Sequence, residues 1–390
     1  MHRNIRLLAW HNFFTDFRLY GPFIVIYFAD VSGSYTLAMA VFSVQMVTAV
    51  LLEIPTGILS DRIGRKNTLL AGSVFSVLAI TAYASAPSFW FLALGAVLEG
   101  VSRSLFTGNN NALIFDSARE AGTEDQYHHF LGRTSSLFQL ALGISAGLGG
   151  VLLLVTSLKW LVILSIAPQL LAVITSLLVR EPKVHKAIAD NALDHLKEAW
   201  QHFRHQRKLR LLAIAQSVAF GFGEASYQFV AAYYRTLWPL WAIGLLRSAG
   251  HGLATASFWL SGSLIDRFGH YAIMIFSRIY SFVTNAVAVA LNSLMSPILM
   301  TSNSMLFGAN TVASDHLLQQ TFSDDHRATL GSLASFMGGL AYAAAALIIG
   351  LIADMFDPRL AILAAAVGSL AILPIYIQLL RDKIRQSDRN

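Results

Sequence analysis

The 390-residue chain contains no cysteine, which excludes a disulfide framework, a thiolate metal site and a cysteine nucleophile. Charge is scarce as well. Asp, Glu, Lys and Arg together make up 13% of residues, where a soluble domain carries about 25%. Apolar residues reach 55% and mean hydropathy is +0.56, so a large soluble protein would lack the polar surface to cover itself. No Walker loop, nucleophile elbow or metal-ligand spacing is present. The pairs His128-His129 and His202/His205 have no carboxylates arranged beside them. An enzyme is therefore not expected, and neither a cofactor nor a metal.

What the chain does contain is a series of twelve apolar runs. They lie at about 5–28, 35–57, 68–86, 88–116, 130–155, 159–179, 209–235, 237–263, 270–291, 296–320, 327–353 and 358–380, and a membrane-spanning helix needs about 20 residues. Lys and Arg concentrate in alternate joints, among them Arg62, Arg65, Lys66 and Arg267, while the opposite joints hold only Lys159, Arg235 and Arg359. The positive-inside rule makes the rich joints and both termini cytoplasmic. The net charge of +6 is then a topology signal, and nucleic acid is not an expected partner. His11, Asn12, Asp16 and Arg18 interrupt the N-terminal run and no small-residue cleavage site follows, so it reads as a retained first span.

One long polar stretch, 180–210, divides the chain. Leu193, Leu196, Trp200 and Phe203 recur within it at helical spacing, as in a basic amphipathic helix on the membrane surface. The expected domains are a six-helix bundle over 1–179, a cytoplasmic linker over 180–208 and a second six-helix bundle over 209–390.

The two halves echo each other. Gly57-Ile-Leu-Ser-Asp61-Arg62-Ile-Gly64-Arg65-Lys66 is matched 205 positions later by Gly262-Ser-Leu-Ile-Asp266-Arg267-Phe-Gly269-His270. Gly108-x-Asn110 and Asp116 in the fourth run are matched by Gly308-x-Asn310 and Asp315 in the tenth. Parallel repeats of this kind build alternating-access transporters.

On these motifs the chain resembles the major facilitator superfamily over essentially its whole length. The run Glu53-Ile-Pro55-Thr-Gly57 and the segment Asn111 to Asp116 look like a bacterial branch often grouped with drug:proton antiporters. The resemblance implies an all-α membrane fold of twelve transmembrane helices in two pseudo-symmetric six-helix bundles, placed in a bacterial inner membrane, with a monomer as the expected state. It also implies a cytoplasmic gate of Gly57, Asp61, Arg62, Gly64, Arg65 and Asp116, with Asp266 and Arg267 in the second copy. There Gly57 would let helices approach closely, Gly64 would allow a positive-φ turn, and Asp61 would accept from amides at a helix N-terminus. Two antiporter features are absent: Ala96 stands where an Arg is usual, and Gly143 to Gly150 lacks the usual proline.

Charges inside apolar runs are costly, at roughly 2.5–3.5 kcal/mol each on insertion scales, and face a cavity in most cases. Asp16 and Arg18 fall in the first run, Glu99 and Arg103 in the fourth, Glu224 in the seventh and Arg247 in the eighth. Asp16, Glu224 and Glu99 are the candidate proton-coupling groups. Glu99 and Arg103, four apart, can pair on one helix face. Gly221 and Gly223 beside Glu224 can bend or unwind the seventh span. Arg18, Arg103, Arg247, Tyr20, Tyr227, Asn303 and Asn310 are the candidate substrate contacts, and His11 and His251 read as hydrogen-bonded helix contacts. The expected activity is proton-coupled export of a small organic molecule. The alternative is a proton symporter or uniporter importing an anionic or zwitterionic metabolite, and a non-transporting receptor is the reading from another class.

Overall fold

In hydrocarbon, a chain must satisfy its backbone polar groups within itself, and a helix does so segment by segment. The computed structural model describes residues 3–183, 203–321 and 327–387. Among the described residues there is no strand, and every one of the twelve apolar runs is helical. The amphipathic segment expected from Ile188 to Phe203 lies outside the described residues except for Phe203, as does His202.

The first half comprises α1 (Arg3–Asp16), α2 (Ile24–Ser32), α3 (Tyr35–Ile63), α4 (Arg65–Ala84), α5 (Phe89–Phe106), α6 (Asn109–Glu120), α7 (Tyr127–Leu152), α8 (Leu158–Leu164) and α9 (Ile166–Leu178). The second comprises α10 (Arg207–Arg235), α11 (Leu240–Phe268), α12 (His270–Leu291), α13 (Ser296–Thr301), α14 (Ser304–Thr321), α15 (Arg327–Met355), α16 (Pro358–Leu370) and α17 (Leu373–Ser387). Among the described residues, eight helical stretches are long and apolar enough to cross a membrane. The chain divides into two compact units, Met1–Ile188 with Pro239–His251, and Ala189–Trp238 with Gly252–Asn390.

Five runs that read as continuous are split. The first breaks between Asp16 and Ile24, where Pro22 has no N–H to donate and Gly21 adds no helix propensity. The fourth breaks at Gly108, held at φ +72°. The sixth breaks at Ser165, the tenth at Ser302-Asn303 and the twelfth at Ala371-Ile372, shortly before Pro374. The seventh span goes the other way. Gly221 and Gly223 suggest a bend, yet α10 runs unbroken from Arg207 to Arg235. Gly221 instead lets α15 come close: a Cβ there would sit 2.6 Å from the Ala341 carbonyl carbon.

Small residues set the close approaches inside each unit, as in other helix pairs in lipid. A Cβ on Gly100 of α5 would lie 2.6 Å from the Gln45 carbonyl oxygen of α3, and Thr56 Oγ1 donates to the Ser104 carbonyl at 3.0 Å. Ile5, Leu8, Leu69, Leu113 and Ile114 form one buried cluster of the first unit. Leu212, Met274, Leu317 and Tyr376 belong to that of the second.

The starts of α3 and α16 carry side-chain caps. Ser34 accepts from the Leu37 amide at 3.2 Å to start α3, and Asp357 accepts from the Leu360 amide at 2.9 Å to start α16. The Arg359 guanidinium, bonded to Asp357 at 2.7 and 3.1 Å, holds that carboxyl below the usual carboxylate range. A depressed folded-state value means the cap contributes fully above the unfolded value of about 3.9 and fades as pH falls through the lower folded one. Asp357→Ala should therefore cost about 1 kcal/mol near neutrality. Thermal melts in detergent should show that cost vanishing in strong acid.

Candidate functional site

The break in the first span brings the intramembrane charges together. Past Asp16 the chain leaves the helix, and the Arg18 side chain turns back so that its Nε donates to the Thr15 carbonyl at 3.1 Å. A cation is favoured there because the carbonyls at a helix C-terminus carry partial negative charge. The same guanidinium, through Nη1, donates to Glu99 Oε1 of α5. Glu99 is 3% exposed, so Arg18 supplies a counter-charge that water does not. The spacing in sequence pairs Glu99 with Arg103 along its own helix; the structure sends it to Arg18 instead. The non-helical stretch 17–20 frees Arg18 from the helix surface and gives it the reach.

Asp16 lies within electrostatic range of Arg18, Arg103 and Glu99. Tyr20 and Tyr83, both buried, sit within range of Arg18 and Glu99. Asp16, Arg18, Tyr20, Glu99 and Arg103 thus form one cluster in the first unit, with Tyr83 added by the structure. Next to it His11 is fully buried, with Nε2 at 2.9 Å from Ser73 Oγ, which is the hydrogen-bonded helix contact its lone position suggests.

The other candidates are placed differently. Glu224 accepts from Gln228 Nε2 at 2.8 Å, one turn along α10. Asn303, at the break in the tenth span, accepts from Thr284 Oγ1 at 2.7 Å and donates to Asn285 Oδ1 at 3.3 Å. Tyr227 is exposed and Asn310 half-buried. Arg247 lies on α11 within electrostatic range of His251.

At the two repeated joints, Gly64 and Gly269 both hold positive φ, at +93° and +81°, so the echo in sequence is an echo in backbone. Arg65 pairs with Asp116 at 3.0 Å, and Asn109 ties the turn by donating to the Arg65 carbonyl at 3.0 Å and accepting from Ser60. The amides at the start of α4, of Arg65 and Lys66, go to the two carboxylate oxygens of Glu181 at 2.9 and 2.7 Å, so Glu181 caps that N-terminus. One expected detail differs. A Cβ on Gly57 would meet no described atom within 4 Å, because Gly57 lies on the exposed side of α3, and Gly100 supplies the close approach instead. In the second copy Asp266 and Arg267 are exposed, with Arg267 over the Phe268 ring at 5.3 Å. His270, in the place of Arg65, stacks on His316 with centroids 4.5 Å apart.

Four residues that the sequence pattern passes over matter here. Glu181 follows the sixth span, and Ser165 and Gln169 lie inside it. Arg278, mid-way along α12, donates to Ser369 Oγ at 3.0 Å. A polar Gln and an Arg within apolar runs were the available signals.

Residues 11–312 match the family model described as Major Facilitator Superfamily. The chain belongs to that superfamily. As such it is a multi-pass membrane protein of a transporter superfamily. Among curated relatives, the "Uncharacterized MFS-type transporter YhjO" of Bacillus subtilis (strain 168) is 26% identical over 217 residues, 53% of this chain and 50% of its own. YqjV of the same organism, described in the same words, is 31% identical over 100 residues, 25% of this chain and 24% of its own. The chain thus spans about half the length of the first and about a quarter of the second. Among solved structures, the nucleoside transporter NupG aligns with a TM-score of 0.79 at 12% identity, covering 97% of this chain and 99% of that one. A bacterial homolog of the human lysosomal transporter Spinster aligns with a TM-score of 0.76 at 15% identity, covering 98% of each. At such identities these two establish the fold of this superfamily member and nothing finer.

Removing one side of a buried ion pair leaves the other stranded, at a cost of about 3–5 kcal/mol. Arg18→Ala should therefore lower stability by that amount, and adding Glu99→Ala should recover most of it. A double-mutant cycle by chemical or thermal unfolding in detergent measures the coupling.

Proposed function

We propose that this transporter is proton-coupled and that substrate and proton meet at the Arg18–Glu99 pair. The observation that carries this reading is the cluster itself: two carboxylates, Asp16 and Glu99, with two guanidiniums, Arg18 and Arg103, at the break in the first span. Its formal charge is zero. A substrate carboxylate that displaces Glu99 from Arg18 strands a buried anion unless Glu99 takes up a proton. Each binding event then favours the other, which is linkage between substrate and proton. Charge balance therefore supports symport of a small organic molecule bearing a carboxylate or equivalent anion, zwitterions included. The inner membrane with both termini cytoplasmic remains the proposed setting.

Proton-coupled export is the second reading. It is supported by the resemblance of the gate motif and of the Glu53 and Asn111–Asp116 segments to drug:proton antiporters. In that case a cationic substrate competes with protons for Asp16 and Glu99, or for Glu224.

A thermal-shift screen of the purified protein against small carboxylates, amino acids and nucleosides at two pH values identifies a ligand. For symport, affinity of an anionic ligand should strengthen as pH falls, by up to about tenfold per pH unit for one linked proton. Glu99→Gln, permanently neutral, should bind the same ligand without that dependence and should lose gradient-driven uptake in proteoliposomes while keeping exchange. Affinity that strengthens as pH rises would favour export, and pH-independent affinity in both proteins would end the coupling proposal.

A further inference from the structure

Of four backbone groups freed at the break in the first span, three are met by side chains of the sixth. In an unbroken helix the Arg18 amide would donate to the Phe14 carbonyl, and the Leu19 amide to the Thr15 carbonyl. Here the Arg18 amide turns to the Asp16 carbonyl at 3.0 Å. The Leu19 amide donates to Ser165 Oγ at 3.0 Å. Both vacated carbonyls accept from Gln169 Nε2, Phe14 at 2.9 Å and Thr15 at 3.0 Å. Gln169 is completely buried. Its Oε1 accepts from Ser76 Oγ at 2.8 Å, and because carbonyls only accept, the amide has one workable orientation.

We propose that Gln169 and Ser165 are positioning residues that hold the first span in its unwound register and thereby set Arg18 on Glu99. The backbone groups of Phe14, Thr15, Arg18 and Leu19 have two ways to be satisfied. In one, Phe14 and Thr15 carbonyls take the Arg18 and Leu19 amides and the helix is wound. In the other, Gln169 takes the carbonyls, Ser165 takes the Leu19 amide, and the helix is open. An element with two discrete bonding schemes is a switch rather than a spring. Winding the segment would carry Arg18 round onto the helix surface and away from Glu99.

Neighbouring features suit the open form. Ser165 is the point at which α8 gives way to α9, and it donates to the Leu161 carbonyl at 2.8 Å, so the two breaks face each other. A Cβ on Gly149 of α7 would collide with the Leu19 carbonyl oxygen, so α7 can lie against the opened segment only with glycine there. Arg18 Nε adds a third donor to the same carbonyl end through Thr15. The importance of Arg18 for transport rests on the reading given under Proposed function; the bonding scheme at the break does not.

The cysteine-free chain allows a direct test. Nitroxide labels at Arg6→Cys on α1 and Asp30→Cys on α2, both exposed positions on either side of the break, report its geometry by pulsed electron paramagnetic resonance. The parent should give one narrow distance distribution. Gln169→Met, nearly the same shape without the donor, should displace it or add a second population, and Ser165→Ala should do so in the same sense. Gln169→Glu should move the distribution toward the parent in acid, where the carboxyl carries one proton to donate to one of the two carbonyls, and lose that gain reversibly on ionisation; simple packing would not produce that pH profile. Parent-like distributions in all three variants at every pH overturn the proposal. Labelled protein that shows the shift but no proton-linked flux or binding would instead sink the transport reading and leave the hinge standing.

Discussion

A polar group taken out of water must find its partner inside the protein, and most of the first unit can be understood from that requirement. Opening the first span releases two carbonyls and two amides. Three of these four are met by Gln169 and Ser165, and the fourth by a local turn. The opening in turn lets Arg18 reach Glu99, which would otherwise be an unneutralised buried carboxylate. Backbone satisfaction and charge neutralisation are thus one structural problem with one solution.

Much of the architecture was legible in the chain because it depends on strong, local signals. The twelve apolar runs, the basic joints and the repeated Gly-x-x-x-Asp-Arg-x-Gly turn all follow from periodicity, charge and a glycine that must take positive φ. The intramembrane charges at Asp16, Arg18, Glu99 and Arg103 were equally visible, since each stands out against apolar neighbours. What could not be read was their pairing. Glu99 and Arg103 look like partners at a spacing of four, and only the break after Asp16 reveals Arg18 as the partner. That break depends on Gln169, which lies 155 positions from Phe14, and no local pattern encodes such a contact. Gly221 misled for the same reason: a glycine that loosens a helix and one that admits a neighbour look alike in sequence.

The two halves share a backbone plan and differ in chemistry. The joint turns match, with Gly64 and Gly269 in similar conformations. Yet a permanent charge pair, Arg65 with Asp116, stands in the first, and stacked imidazoles, His270 on His316, occupy the corresponding place in the second. The first span is opened and stitched to the sixth, whereas the seventh is a continuous helix whose acidic residue, Glu224, has a neutral amide beside it. Among the described residues, the buried Arg18–Glu99 pair belongs to the first unit, without a counterpart at Glu224.

Glu181 has a mechanical implication. The residues after the sixth span do not hang loose from its end. Asn4 grips the Arg180 backbone on both its N–H and its carbonyl, Lys183 donates to Glu120 at 3.3 Å, and Glu181 clasps the first amides of α4. Tension arriving along the chain from beyond Lys183 would be felt first at Glu120, the last residue of α6, and then through Glu181 at the turn that begins with Gly64.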